Sequence, residues 1–336
     1  MNNLAMNNSE SVLDYVYKDF CANEWIDKAK EKKTPQQLFG TLWHEGEVCC
    51  LFADTNAGKS ILAVQIGNEI ATVLEKTVLY FDYELSDKQF QMRYCDEATG
   101  EKAYFSPLFR RLECEPGMLP DNLDDILDSI SRAVQRRGAT VVIIDNLTWL
   151  CNACENGEAA GYFMRRLLEM KRETGISVLV VSHTPKREPG MPLDQNSLAG
   201  SKRLANFFDS IFAIGVDCNE PKAGRYVKQI KVRSAALEYH EGNVLRYDIV
   251  RDHNMLCFRQ CDGHFTESQF LSAQKSDRPF DEMKRKEAER REERNRMIML
   301  MHASGMKQRD IAEKASVSLY TVNTVINKYL ESKEFF

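Results

Sequence analysis

The sequence predicts an α/β protein built on a mostly parallel sheet, finished by antiparallel β-hairpins and followed by a small all-α module. Three observations carry this expectation. Apolar runs of six or seven residues alternate with amphipathic helical stretches. The first run leads through a glycine-bearing loop directly into a helix. After Asp217 the helices stop and short β-runs take over.

Each element follows in order. The first 35 residues are helix-permissive, with apolar positions at Val12, Tyr15, Val16, Phe20 and Trp25, until Thr34-Pro35 breaks the pattern. Strands are then expected at Val48 to Ala53, Thr77 to Tyr83, Val141 to Asn146, Ser177 to His183 and Ser210 to Val216. Their continuous apolar character is that of strands covered on both faces. Helices are expected at Gly58 to Glu75, Asp121 to Arg137 and Glu158 to Glu173. The hairpin strands fall at Tyr226 to Val232, Asn243 to Val250 and Met255 to Arg259. Asp281 to Arg296 carries thirteen charged residues in sixteen, a solvated helix or linker. The expected boundaries are an N-terminal helical segment (1–35), an α/β domain (36–262), a charged linker (263–296) and a helical domain (297–336).

The 336 residues are 43% hydrophobic and 28% charged, enough for a sizeable core. The net charge of −5 argues against bulk coating of nucleic acid or anionic membrane. It divides unevenly, with −7 before Asp277 and +2 from there onward. No apolar run approaches the ~20 residues of a membrane span, and the start lacks a signal-peptide pattern. A cytoplasmic protein with reduced thiols at its ten cysteines is therefore expected. Cys151 and Cys154 form a single Cys-x-x-C. Cys257, Cys261 and His264 lie about a hundred residues away, too far in sequence to read as a zinc site.

Ala53-Asp54-Thr55-Asn56-Ala57-Gly58-Lys59-Ser60 fits the phosphate-loop pattern, with alanine where the first glycine is commoner. Such a loop wraps backbone N–H groups around a β-phosphate at a helix N-terminus. Lys59 would reach the β- and γ-phosphates of ATP, and Ser60 would offer its hydroxyl to Mg2+. Asp145, closing a buried apolar strand, is expected to hold the same Mg2+ through water. The next residue, Asn146, is no base. Glu84, at the carboxyl edge of the second strand, is the first candidate to take a proton from water. Asp82, two residues earlier, is its rival.

The succession of a phosphate loop, a strand followed by Glu84-Leu85-Ser86, Asp145-Asn146 after the third strand and a polar residue closing the fourth resembles RecA-fold ATPases. Among these it is most similar to the DnaB-like and plasmid RepA-type ring helicases, over roughly residues 36–260. The resemblance implies that Glu84 is the catalytic base and that His183 senses the γ-phosphate and relays to DNA. Gly200 to Asn206 resembles the helix after the family's second DNA loop. Lys231-Val232-Arg233 resembles a Lys-x-Arg pair that reaches ATP bound by a neighbouring subunit, which implies a homo-oligomer, a six-fold ring. The implied single-strand DNA loops are Leu147 to Gly157 and Thr184 to Ser197, the latter carrying Lys186 and Arg187.

Met306 to Leu330 reads as two helices about a tight turn, with core positions Ile311, Ala312, Val317, Val322 and Ile326. It resembles a helix-turn-helix, with Ser316 where glycine is usual. The likeness implies a recognition helix beginning Leu319, Tyr320, Thr321, Asn323, Thr324 that faces duplex DNA. Lys328 is its lone cation, so a phosphate grip falls to Lys307, Arg309 and Lys314. The expectation is a DNA-dependent ATPase of the replicative helicase kind, serving a plasmid-like or integrative element, with a primase or other replication partner. Two alternatives stand beside it: an ATP-switched DNA-binding regulator, and a RecA-fold ATPase acting on a protein.

Overall fold

The computed structural model of the chain describes residues 18–114, 117–118, 120, 122–147, 157–185, 187, 190–198, 202–271, 293–315, 317–319 and 321–326. The chain divides into two units, Met1–Leu271 and Ser272–Phe336. Among the described residues of the first, the earliest helix is Ala22–Lys30 (α1), which buries none of its residues; Val12, Tyr15 and Val16 lie outside the described residues. A short antiparallel pair follows, Gln37–Phe39 (β1) and Trp43–His44 (β2). Then come Val48–Ala53 (β3), Lys59–Val73 (α2), Val78–Asp82 (β4), Asp87–Tyr94 (α3), Phe109–Glu113 (β5), Leu123–Arg137 (α4), Val141–Asp145 (β6) and Gly157–Thr174 (α5). Ser177–His183 (β7), Lys202–Ala205 (α6), Ser210–Val216 (β8), Gly224–Lys231 (β9), Val244–Asp252 (β10) and Met255–Phe265 (β11) complete the unit.

Nine strands form one sheet in the order β11-β10-β9-β8-β3-β7-β6-β4-β5. The six from β8 to β5 are parallel, and β9, β10 and β11 extend the β8 edge antiparallel. This is the mostly parallel α/β sheet with C-terminal hairpins that the apolar runs predict. The central strand shows why it is covered on both faces. Val48, Cys50 and Phe52 enter the core beneath α4 and α5, while Cys49, Leu51 and Ala53 enter the core beneath α2. The five-residue edge strand β5 was not expected. Its sequence, Phe-Arg-Arg-Leu-Glu, is half-exposed and lacks the apolar run of its neighbours.

The helices carry their own signals. Leu123, Ile126, Leu127, Ile130, Ala133 and Val134 give α4 one apolar stripe, against the sheet. Asn122 caps it by accepting from the Asp125 N–H at 2.8 Å, and Gly138 ends it at φ 60°. On the other face α2 sits very close to the sheet. A Cβ on Gly67 would lie 2.6 Å from the Phe109 ring and 2.9 Å from Ile143.

The β10–β11 hairpin does more than lengthen the sheet. Tyr247, Phe258, Ile249, Met255 and Leu256 join the core around α2, so the sheet curls back over that helix. The Gln65 amide clamps the Phe258 main chain from both sides, accepting at 2.7 Å and donating at 3.0 Å. Arg251 donates to the carbonyls of Arg93 and Met92 at the end of α3. The expected domain boundary at 262 falls too early, because residues 263–271 belong to this unit. Buried Glu267 accepts from Lys228 at 2.5 Å, Tyr226 at 3.0 Å and the Leu193 N–H at 2.9 Å, and Phe270 is buried with them.

In the second unit, helical residues 293–303, Gln308–Lys314 and 321–326 surround Ile298, Ile311, Val322 and Ile326. Ala312 and Val317 pack against this cluster, as their spacing predicts. Ser318 Oγ accepts from the Thr321 N–H at 3.1 Å, an N-cap for the last helix. Ser316, Tyr320 and Lys328 lie outside the described residues, as does most of the charged run 281–296.

Candidate functional site

The phosphate loop joins β3 to α2 at the carboxyl ends of the parallel strands, where α/β sheets bind ligands. Left-handed backbone occurs at Asn56 (φ 63°) and Gly58 (φ 100°), whereas Ala53 lies in the strand. The first position therefore has no need of glycine. Gly58 needs it twice, since a Cβ there would also meet the Phe258 ring at 2.9 Å. Lys59 folds over the loop, its Nζ donating to the carbonyls of Ala53 at 3.0 Å and Asp54 at 2.9 Å. Burial lowers the Lys59 pKa, while Asp145, Glu84 and Asp54 pull it back up.

Asp145, at the tip of β6, lies close enough to the Ser60 hydroxyl for that group to lower its pKa. Its Oδ2 accepts from Tyr80 at 2.6 Å, and its buried Oδ1 has no partner among the described residues. Burial raises the carboxyl to about 6, against the hydroxyls of Ser60 and Tyr80, and nearby Asp82 and Glu84 raise it further. A buried, unsatisfied carboxylate oxygen beside a serine hydroxyl is a donor set that fits hydrated Mg2+. Tyr80 is fully buried and orients Asp145.

The Asn146 side chain joins two further candidates. Its Nδ2 donates to Glu84 Oε2 at 2.7 Å and lies 3.2 Å from His183 Nε2. With Asn146 donating, Nε2 accepts and the ring proton sits on Nδ1. Burial, then Lys59, lowers the His183 pKa, which keeps the ring neutral. The Asp145–Asn146 peptide bond is cis. Asp82 is occupied elsewhere: its Oδ1 accepts from the N–H groups of Glu84 and Leu85, and its Oδ2 pairs with Arg111 Nε at 2.8 Å. Geometry thus separates the two rival carboxylates, leaving Glu84 accessible at the site and Asp82 in the framework.

Lys231 and Arg233 lie at the other end of the sheet, since Lys231 pairs with Ile211 at the start of β8. Lys231 Nζ donates to the carbonyls of Phe208 at 2.6 Å, Ala205 at 3.0 Å and Asn206 at 3.5 Å, and burial lowers its pKa. Arg233 donates to Asp209 at 2.7 Å with 61% of its side chain exposed. The loop after β7 is largely held down. Thr184 hydroxyl donates to Asp54, Arg187 pairs with Asp54 at 3.5 Å and donates to Ser197 and Pro192, and Leu193 is buried. Lys186, Leu147–Gly157 apart from its two end residues, Cys151, Cys154, Gly200 and Ser201 lie outside the described residues.

One residue near the site had no sequence signal. Arg225 is buried at the start of β9, and its Nε donates to Ala57 O at 2.8 Å and its Nη2 to Asn56 O at 3.4 Å. An isolated arginine 168 positions from its partner has no local pattern to betray it.

A family model described as "AAA domain" matches residues 18–189 of the chain. Among solved structures, a KaiC-like protein from the hyperthermophilic archaeon Pyrococcus horikoshii is similar, with 16% identity and a TM-score of 0.47. That likeness covers 65% of this chain and 91% of the other. No curated protein matches the sequence. No helix among the described residues is long and apolar enough to cross a membrane.

Proposed function

This chain belongs to the AAA domain family, and from that premise we propose that it is an ATP-driven motor on single-stranded DNA, working as an assembly of its own copies. The coarser statement stands on the family and fold: it is a RecA-fold P-loop ATPase. The observation that carries the reading is the Asn146 amide linking the Glu84 carboxylate to His183, beside Lys59, Ser60 and Asp145.

The roles follow from where these groups sit. The loop N–H groups and Lys59 bind and orient the ATP phosphates. Ser60 and Asp145 are the residues that would hold Mg2+, which would supply charge neutralisation at the phosphate oxygens. Glu84 accepts the proton of the attacking water, and Asn146 fixes the direction of its carboxylate. His183 accepts from the same amide, so a change at the γ-phosphate that moves Asn146 is felt at the start of the loop after β7. Thr184 and Arg187 already tie that loop to Asp54, which supports coupling between nucleotide state and whatever the loop grips. Arg233, exposed on the far side of the sheet, suits a cation supplied to a neighbouring copy better than the caged Lys231 does. The C-terminal unit, with exposed Lys307, Arg309 and Lys314, supports a second contact to duplex DNA through a helix-turn-helix.

The test is ATP turnover with and without single-stranded DNA, together with sizing in a non-hydrolysable ATP analogue. Stimulated turnover and a multimer are expected, with Lys59→Ala inactive in both conditions. A DNA-indifferent monomer would sink the motor reading, and turnover in Lys59→Ala would sink the ATPase site.

A further inference from the structure

We infer that Arg225 is a positioning residue for the nucleotide site, holding the phosphate loop in its binding shape from behind. This rests on the ATPase reading above. A trans peptide is planar, so its C=O and the following N–H point in opposite directions. Fixing the carbonyl of Ala57 therefore fixes the N–H of Gly58, and fixing that of Asn56 fixes the N–H of Ala57. Arg225 grips both carbonyls, at 2.8 Å and 3.4 Å. The Ala57 N–H so directed closes the loop onto Asp54 O at 3.2 Å. The Gly58 N–H is directed away from Arg225, toward the side where an anion sits at the start of α2.

The remaining contacts of Arg225 serve the same end. Its Nη1 donates to Gly224 O at 2.7 Å and Pro221 O at 3.0 Å. All four of these acceptors are main-chain carbonyls, so a buried guanidinium is spent on backbone geometry. Asp217 is its nearby counter-charge, and a buried ion pair is a poor route to stability for its own sake, which favours a positional role. Hydrogen bonds in series also polarise one another, so a cation on the carbonyl side strengthens the N–H dipole offered to phosphate. Phe258 completes the support, its ring standing where a Gly58 Cβ would be. Both supports come from the antiparallel extension of the sheet.

The experiment measures KM and kcat for ATP, and affinity for a fluorescent ADP analogue, in wild type, Arg225→Met, Arg225→Lys and Lys59→Ala. Arg225→Met keeps the volume but abandons the carbonyls. It is expected to raise KM and weaken ADP at least tenfold, with kcat within threefold of wild type. Arg225→Lys should fall between, with a KM at least threefold raised. A purely structural role would instead lower kcat through a smaller folded fraction at unchanged KM, and that result overturns the proposal. If Arg225→Met lacks a cooperative melt, Arg225→Lys decides, and wild-type KM and ADP affinity in it overturn the proposal. If the wild type does not turn over ATP, the ADP affinities decide alone. Loss of binding in Lys59→Ala beside intact binding in Arg225→Met would sink Arg225 and spare the ATPase reading. A wild type that binds no nucleotide would sink both.

Discussion

Asn146 Nδ2 donates to Glu84 Oε2 across 2.7 Å, joining the end of β6 to the residue pair that follows β4. The bond aims a carboxylate that, unlike Asp82 and Asp145, is engaged by neither Arg111 nor the Tyr80 hydroxyl.

Glu84→Gln should bind ATP with wild-type affinity and lose roughly a hundredfold or more in kcat, the range for a general base. Asp82→Asn should behave in the opposite way. It weakens the buried one of three carboxylate contacts of Arg111, which keeps Asp87 and Glu113, and the change should cost about 1–3 kcal/mol of stability. Denaturant midpoints and turnover per folded molecule separate the two. Normal turnover in Glu84→Gln would return the base to Asp82.

Asp145 gives a pH prediction. Its folded pKa of about 6 lies above the ordinary aspartate value of 3.8, so the folded state binds the proton more tightly than the unfolded chain. The stability from that proton is complete below the unfolded pKa and is lost as pH rises through about 6. Asp145→Asn loses nothing over this range. In Mg2+-free buffer the variant should therefore gain on wild type by about 2 kcal/mol between pH 4 and pH 7. Urea midpoints across that range check it, and a pH-independent difference would refute it.

Gly67→Ala should destabilise the first unit by about 1–3 kcal/mol, because the new methyl overlaps Phe109. Phe109→Leu should recover part of the loss in the double variant. Additive effects of the two changes would show that the contact is not the cause.

Arg233→Ala and Lys59→Ala should each be inactive alone and recover turnover when mixed, because one supplies the phosphate loop and the other the cation. Lys231→Met should mainly lower the melting temperature, since its ammonium satisfies three carbonyls of its own chain. Failure of the mixture to recover would remove the cross-subunit role.

How much of this was legible in the sequence depended on distance along the chain. Val48–Ala53 and Val141–Asp145 announced themselves as wholly buried strands, because every side chain in them is apolar or terminal. Lys59, Ser60 and Asp145 were found because a local pattern carries them. β5 was not, because an edge strand can keep Arg110 and Glu113 in water. The choice between Glu84 and Asp82 needed Arg111, which lies 29 residues from Asp82. The Lys228–Glu267 pair, which moves the end of the domain past 262, joins residues 39 apart. Such pairs leave no periodicity, so only the folded chain reveals them.

The sheet curling back over α2 has a consequence for the order in which the protein is made. A ribosome releases residues 53–60 long before residues 225–258, so the nascent chain carries a complete phosphate-loop motif with nothing behind it. The 18–189 stretch, which contains Lys59, Glu84, Asp145 and His183, is in the same condition when expressed alone. On the proposed role of Arg225, full affinity for nucleotide would be acquired late in synthesis, when Arg225 and Phe258 reach the loop. A nascent chain would then hold ATP more weakly until nearly the whole first unit has emerged.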